Sequence, residues 1–429
     1  MSDAILLRGA SLVTPDGIVP GGALGATGGA IDYAGPAADA PAEGREIVEL
    51  AGGYLLPGFI DLHLHGGGGY DVTGGRYDPG TRALVAGEED LRAAVDVVVT
   101  THARHGTTAA TLATWAAPHA LLVRALETIG EAAAHPRTPG RVLGVNIEGT
   151  FLKDPAYAGA QQPENFQAPS VELFDEFNRA AGGAVRVVNI APEFGESSIR
   201  FIRHLVECGV TPSTGHTGAT AEEMNAAVDA GVRLAVHLTN GPLASSTKPP
   251  GMALEVLLTR EEVTCELICD GRHVDPRYVV SILAAKRMDC AAVTDAMFAV
   301  DVPGIRRFVF GAQEGEVAPD GSCARVLGKP NTLFSSTLTL DRALRNLVAW
   351  LAGPVHGIYH GGPAITPVPS RDEAICLASR LLSERPAHVL GLADRLGSLA
   401  PGRLCDCVHL NDALEVKAVY MGAALVHGA

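Results

Sequence analysis

A chain of 429 residues with 33 basic and 48 acidic side chains carries a net charge of −15, which argues against nucleic-acid binding through a general basic surface. Its 47% hydrophobic content can fill a large core. No stretch approaches the ~20 apolar residues that cross a bilayer, so no membrane partner is expected.

The first ten residues, MSDAILLRGA, lack the basic opening and long apolar region of a secretory leader, and a cytoplasmic location is the expectation. Residues 1–56 then read as short β segments broken by glycine turns: ILLRGASLVTP, AIDYAG and REIVEL. The far end, CDCVHLNDALEVKAVYMGAALV, has the same character. The two ends, 1–56 and 395–429, are therefore expected to build one small β-sandwich beside a catalytic domain spanning 57–394.

Within that middle, strand-like runs alternate with helical ones. The runs are YLLPGFIDLHLH, GTTAATLAT, RVLGVNIEG, VRVVNIAPE, GVTPSTGHT, VRLAVHLTN, VTCELICDG and DCAAVTDA. Among the intervening stretches, AEEMNAAVDAG ends on a helix-stopping glycine. Eight such units predict an α/β fold, a (β/α)8 barrel. A doubly wound open sheet is the alternative, but the GGGG after His65 is not the G-x-G-x-x-G phosphate turn that such a sheet advertises. The eight cysteines include Cys265/Cys269 and Cys405/Cys407, neither with C-x-x-C spacing, and read as reduced.

Each apolar run finishes on chemistry. The first gives His63 and His65, the third Glu148, the fifth His216 and the sixth His237. The seventh ends in Asp270-Gly271-Arg272-His273 and the eighth in Thr294-Asp295. In a barrel the C-terminal strand ends share one mouth, so these residues converge. His63 and His65, two apart on a strand, project to the same side, and paired neutral imidazoles suit zinc or iron. A lone interior histidine is more often a hydrogen-bonded core residue; five ligand-type residues at strand ends point to a metal site. Asp295, counted with the ligands, is also placed to take a proton from an attacking water. A helix-capping role for Asp295, a surface position for His273, and a plain flexible turn for the four glycines remain open readings.

These residues, in this order, resemble the N-acetylglucosamine-6-phosphate deacetylase family of the amidohydrolase superfamily. The motifs are PGFIDLHLHG, IEGTFL, STGHTGAT, HLTNG, CDGRHVD, VTDAM, LTLDRALRN and GSLAPGRLCD, and they run over nearly the whole chain. The resemblance implies a TIM-like, metal-dependent hydrolase barrel flanked by a β-sandwich and assembled as a homodimer. It implies one or two divalent ions, zinc first, with iron(II) or another divalent ion as alternatives. By motif, Glu148, His216 and His237 would hold the main ion and His63 with His65 a second. Asp295 would be the catalytic aspartate, His273 would orient the substrate, and Asn240 with Gly241 would contact the phosphosugar. The implied reaction is hydrolysis of the N-acetyl group of N-acetylglucosamine 6-phosphate.

Departures from the family bear on substrate. Gln161 stands where a histidine is usual, and Lys248 where an arginine helps bind phosphate. A lysine is a point charge without the bidentate fork. Phe334 replaces a small residue and would narrow the pocket, while Arg272 offers replacement charge. An unphosphorylated or epimeric N-acyl amino sugar, an N-acyl amino acid and a non-catalytic barrel are the rival readings. A cyclic-amide hydrolase is disfavoured, because the fourth strand ends in NIAPEF without the lysine that many such enzymes carboxylate.

Overall fold

The computed structural model describes residues 4–135, 140–240, 253–329, 331–355 and 370–428. Eight strands form one parallel sheet in strict chain order: β1 (Phe59–Leu64), β2 (Thr107–Ala113), β3 (Arg141–Phe151), β4 (Val185–Ile190), β5 (Thr211–Thr214), β6 (Leu234–Ala235), β7 (Thr264–Ile268) and β8 (Cys290–Val293). Every run read as a strand from the sequence is present. Parallel strands are covered on both faces, which is why these runs are almost uninterruptedly apolar rather than alternating.

The sheet curls so that its last strand meets its first. Leu64 bridges Ala296 in parallel, and the Asp295 N–H donates to the His63 carbonyl at 2.8 Å. Beneath that seam the fully buried Asp61 carboxylate accepts from the Thr294 N–H at 3.2 Å and from its hydroxyl. The outer helices include α1 (Glu88–Ala103), α2 (Ala221–Ala230) and α3 (Leu340–Ala352). The local chemistry of α2 fixes both its ends. Thr220 and Glu223 cap each other's backbone at the start, and Gly231, at φ 133°, ends it.

Both chain ends build a small β domain of two sheets. One holds Ala4–Arg8, Gly22–Thr27, Ala30–Pro36 and Glu46–Glu49. The other pairs Tyr54–Pro57 with Cys407–Leu410 and adds Ser11–Thr14, Gly17–Val19, Val416–Met421 and Ala424–Gly428. Leu7, Leu12, Leu24, Ile31, Leu55 and Cys407 are among their shared core. The run YLLPGFIDLHLH, read as one strand, thus divides at Gly58 between this domain and the barrel. A Cβ on Gly58 would lie 2.2 Å from the Thr108 hydroxyl, so the crossing requires glycine.

A fourth sheet was not foreseen. Strands of two to five residues from the segment after β1 (Gly66–Gly67, Tyr70–Asp71, Gly75–Asp78, Ala83–Val85) join others from the segment after β8 (Arg307–Phe310, Gln313–Val317, Ala324–Val326). They roof one side of the barrel mouth over an aromatic core of Trp115, Phe298, Phe308, Phe310 and Phe334. Strands so short carry no readable period, and the two halves meet only because the barrel closes. All eight cysteines are free, and among the described residues no helix is long and apolar enough to cross a membrane.

Candidate metal centre and active-site cavity

The period of two on β1 brings His63 and His65 into the barrel interior, both fully buried, with their Nε2 atoms 3.2 Å apart. The outer nitrogens explain this arrangement. His65 Nδ1 faces the Ala113 carbonyl at 3.0 Å, and because a carbonyl only accepts, Nδ1 carries the hydrogen and Nε2 the lone pair. His216 Nδ1 meets the Tyr157 carbonyl at 2.9 Å with the same consequence, and His63 Nδ1 meets Glu266 Oε2 at 3.1 Å. His237 Nδ1 is buried without a partner among the described residues.

The inner nitrogens converge on Glu148, at the end of β3. Its Oε1 lies 3.2 Å from His216 Nε2 and 3.0 Å from His237 Nε2. Its Oε2 lies 3.4 Å from His65 Nε2 and 3.5 Å from His63 Nε2. Asp295 Oδ1 sits 3.2 Å from His65 Nε2 and 3.9 Å from His63 Nε2. Two lobes result: one of His216, His237 and a Glu148 oxygen, the other of His63, His65, Asp295 and the second Glu148 oxygen. Lone pairs aimed at one another and at carboxylate oxygens repel unless a cation lies between them. The ligand atoms of His63, Glu148 and His237, and those of His63, His65 and Asp295, lie within 4.8 Å of one another and fit a divalent ion, with His216 joining through Glu148 Oε1.

Electrostatics agree. Burial alone would push the Glu148 carboxyl up; positive charge at its centre, which the imidazoles of His63, His216 and His237 supply when protonated, holds it well below the usual range. Burial opposes charge on His273, yet Asp270, 2.7 Å from its Nδ1, raises it, and His273 in turn keeps Asp270 low despite burial. At Asp61 burial outweighs the hydrogen bonds from Thr294 and the His63 amide and the nearby His63 charge, and pushes it up to about 6. The backbone is also unusual at the mouth. His216 (φ 53°), His237 (φ 23°), Thr239 (φ 76°), Asp295 (φ 49°) and Ser335 (φ 50°) all occupy the left-handed region that non-glycine residues avoid. Such strain persists where surrounding structure enforces it, typically at working sites.

A cavity of about 580 Å³ opens above this centre. Its wall includes Glu148, His216, His237, Asn240, Gln161, His273 and Asp295, with Arg272, Arg325 and Lys329 also lining it. Gln161 donates from Nε2 to Glu148 Oε2 at 2.6 Å and accepts the Ala116 N–H at 2.9 Å, so it braces the ligand as well as lining the space. Phe334 is fully buried among Trp115, Phe308 and Phe310, with its neighbours Leu333 and Ser335, not Phe334, at the wall. Gly241 and Lys248 lie outside the described residues.

Several participants escaped the sequence reading, and Asp270 was seen there only as a strand-end residue without a role. Asp270 anchors His273, Glu266 stands behind His63, and Trp115 stacks on His65 at 4.2 Å between ring centroids. A charged residue inside an otherwise apolar run, as in CELIC, was the available signal for Glu266. Arg325 and Lys329 gave none, because their roof segment could not be connected to the mouth.

Comparison with known proteins agrees with this geometry. The amidohydrolase family model matches residues 54–291, more than half of the chain. An N-acetylgalactosamine-6-phosphate deacetylase from Escherichia coli O157:H7 is 31% identical over 88% of this chain and 89% of its own. An N-acetylglucosamine-6-phosphate deacetylase from Bacillus subtilis is 27% identical over 97% of this chain and 95% of its own. Among solved structures, an N-acetyl-D-glucosamine-6-phosphate deacetylase from Mycobacterium smegmatis, an aspartate-to-alanine mutant in complex with N-acetyl-D-glucosamine-6-phosphate, superposes with a TM-score of 0.82 at 28% identity and 99% coverage of both chains. This chain belongs to the N-acetylglucosamine-6-phosphate deacetylase family and is a metal-dependent amidohydrolase.

Proposed function

We propose that this enzyme removes the N-acetyl group of an N-acetylamino sugar 6-phosphate, with N-acetylglucosamine 6-phosphate first and its galactosamine epimer second. The observation that carries the chemistry is Asp295 Oδ1 lying 3.2 Å from His65 Nε2 at the wall of the cavity. A divalent ion in such a site acidifies a bound water and polarises a carbonyl oxygen. We assign zinc first and iron(II) second; His63, His65, Glu148, His216, His237 and Asp295 are the residues that would hold one or two such ions.

In this reading Asp295 accepts the proton as the water oxygen attacks the acetyl carbon. His273, kept in its donor form by Asp270, hydrogen-bonds the oxygen on which negative charge develops. The C–N bond then breaks, Asp295 returns its proton to the departing nitrogen, and acetate and the free amino sugar leave. Gln161 holds Glu148 in place throughout.

Cations at the cavity support a phosphate on the sugar. In a chain of net charge −15 the overall field repels an anion, so local charge must overcome it. Arg272, Arg325 and Lys329 line the cavity, and Arg272 meets Asp320 only at 4.0 Å. The E. coli relative favours keeping the galactosamine epimer as a second reading. The test is acetate release from both phosphosugars and from unphosphorylated N-acetylglucosamine. Strong preference for one phosphosugar is expected. Equal turnover of the unphosphorylated sugar would remove the phosphate from this reading, and no turnover by metal-loaded protein would remove the sugar.

A further inference from the structure

Glu266 sits on β7 between Cys265 and Leu267, all three buried to 1% exposure or less, in a strand whose other buried positions are apolar. A carboxylate there is costly to desolvate, and the apolar run around it offers no reason for one. What it does have is two contacts with two different candidate ligands. Its Oε2 lies 3.1 Å from His63 Nδ1 and accepts the His237 N–H at 3.0 Å. The backbone amide is an obligate donor, so Oε2 acts as an acceptor and takes the His63 Nδ1 hydrogen as its second. Its Oε1 has no partner among the described residues, so no other bond accounts for its presence.

We infer that Glu266 is a positioning residue for the metal centre: it locks the His63 ring with Nε2 inward and ties β1 to β6 across the barrel, holding the first-strand metal position together. The inference rests on the paired-site reading above. An imidazole with a free outer nitrogen can rotate or protonate the wrong atom, whereas one anchored to a carboxylate presents its lone pair in one place. Partners of this kind typically change metal affinity by about 10- to 100-fold when removed.

Three variants test it. Glu266→Leu removes the acceptor at similar volume, Glu266→Asp withdraws it by one methylene, and Glu266→Gln keeps an acceptor oxygen in place. Metal content of each holoenzyme is measured after dialysis against graded chelator, alongside the visible spectrum of the cobalt(II) form, kcat and KM. The expected result is two ions per chain in the wild type and in Glu266→Gln. In Glu266→Leu and Glu266→Asp one ion should be lost at about 10- to 100-fold lower chelator concentration, with kcat reduced and KM nearly unchanged. If the leucine variant does not fold, the aspartate and glutamine pair decides. Wild-type protein with a single ion would overturn the paired-site reading itself. Two ions at unchanged affinity in the aspartate or leucine variant would overturn the role of Glu266 while leaving that reading intact.

Discussion

Asp295 is the residue on which the proposed chemistry turns. Replacing it with asparagine keeps the shape and removes the base, so kcat should fall by about 10²–10⁴-fold, the usual contribution of a positioned acid–base group. The ion in the Glu148, His216 and His237 lobe should stay, which metal analysis of the variant would check. Gly149 is a second sensitive point. It follows Glu148 at φ 85°, and a Cβ there would lie 2.2 Å from Gln161 Oε1 and 2.6 Å from the Ala116 nitrogen. Gly149→Ala should therefore destabilise the fold by about 1–2 kcal/mol from the backbone conformation alone. It should also lower activity by pushing Gln161 off Glu148; urea titration and the acetate assay read the two effects separately. At this scale the sequence was informative where one residue type and one spacing suffice, as for His63 and His65. It could flag Glu266 as an odd charge in an apolar run but not name His63, on another strand, as its partner.

Elements are held to one another by polar clips as well as by apolar contact. His105, just past the end of α1, reaches Asp301 in the segment after β8 at 2.9 Å and Asp341 at the start of α3 at 3.3 Å. Burial opposes its charge, but those two carboxylates outweigh it and lift the imidazole from 6.5 to about 9. Asp301 and Asp341 are held low in return, Asp301 by its bond to His105, and Asp341 by His105 against its own burial. Also facing this clip are His102, Arg104 and His427, with Arg345 on α3 bound to Asp341 at 2.9 Å. The raised imidazole contributes stability fully below its ordinary 6.5 and loses it as pH rises through about 9. The lowered carboxylates contribute above their ordinary range near 4 and lose it in acid. Melting temperature should thus decline between about pH 6.5 and 9, and His105→Gln should flatten that decline. An identical slope in the variant would remove the clip from the account. The roof offers a simpler test: Phe334→Ala opens a cavity in its aromatic core and should cost about 3–5 kcal/mol while metal content is unchanged. The roof strands themselves could not be read from sequence, because their pairing depends on closure of a barrel that joins His63 to Asp295 and Leu64 to Ala296.

For the molecule as a whole, the metal centre and the barrel are one object. Candidate ligands at the ends of β1, β3, β5, β6 and β8 converge on one site, so binding of a divalent ion there should stabilise the native state by mass action, roughly 2.7 kcal/mol at a free-ion level 100 times Kd. Exhaustive chelation should lower the melting temperature by several degrees, and adding zinc back should restore it; a melting curve indifferent to chelation would detach the ions from the fold. The barrel was legible in advance because eight apolar runs alternate with helical stretches and six of them end on candidate ligand or catalytic residues. The sandwich was legible from the likeness of the two ends, ILLRGASLVTP and CDCVHLNDALEV.

The pairing of Tyr54–Pro57 with Cys407–Leu410, and the meeting of β1 with the end of β8, set a timetable for biosynthesis. A ribosome adding about 5–20 residues per second needs roughly 10–50 s to travel from His65 to Asp295. Until then the first-strand imidazoles have been made but their lobe has no aspartate, and the edge of Tyr54–Pro57 waits longer still for its C-terminal neighbour. Nascent chains of this enzyme therefore carry exposed strand edges and half-built ligand sets until Asp295 has been made, and hydrolytic competence cannot precede that point.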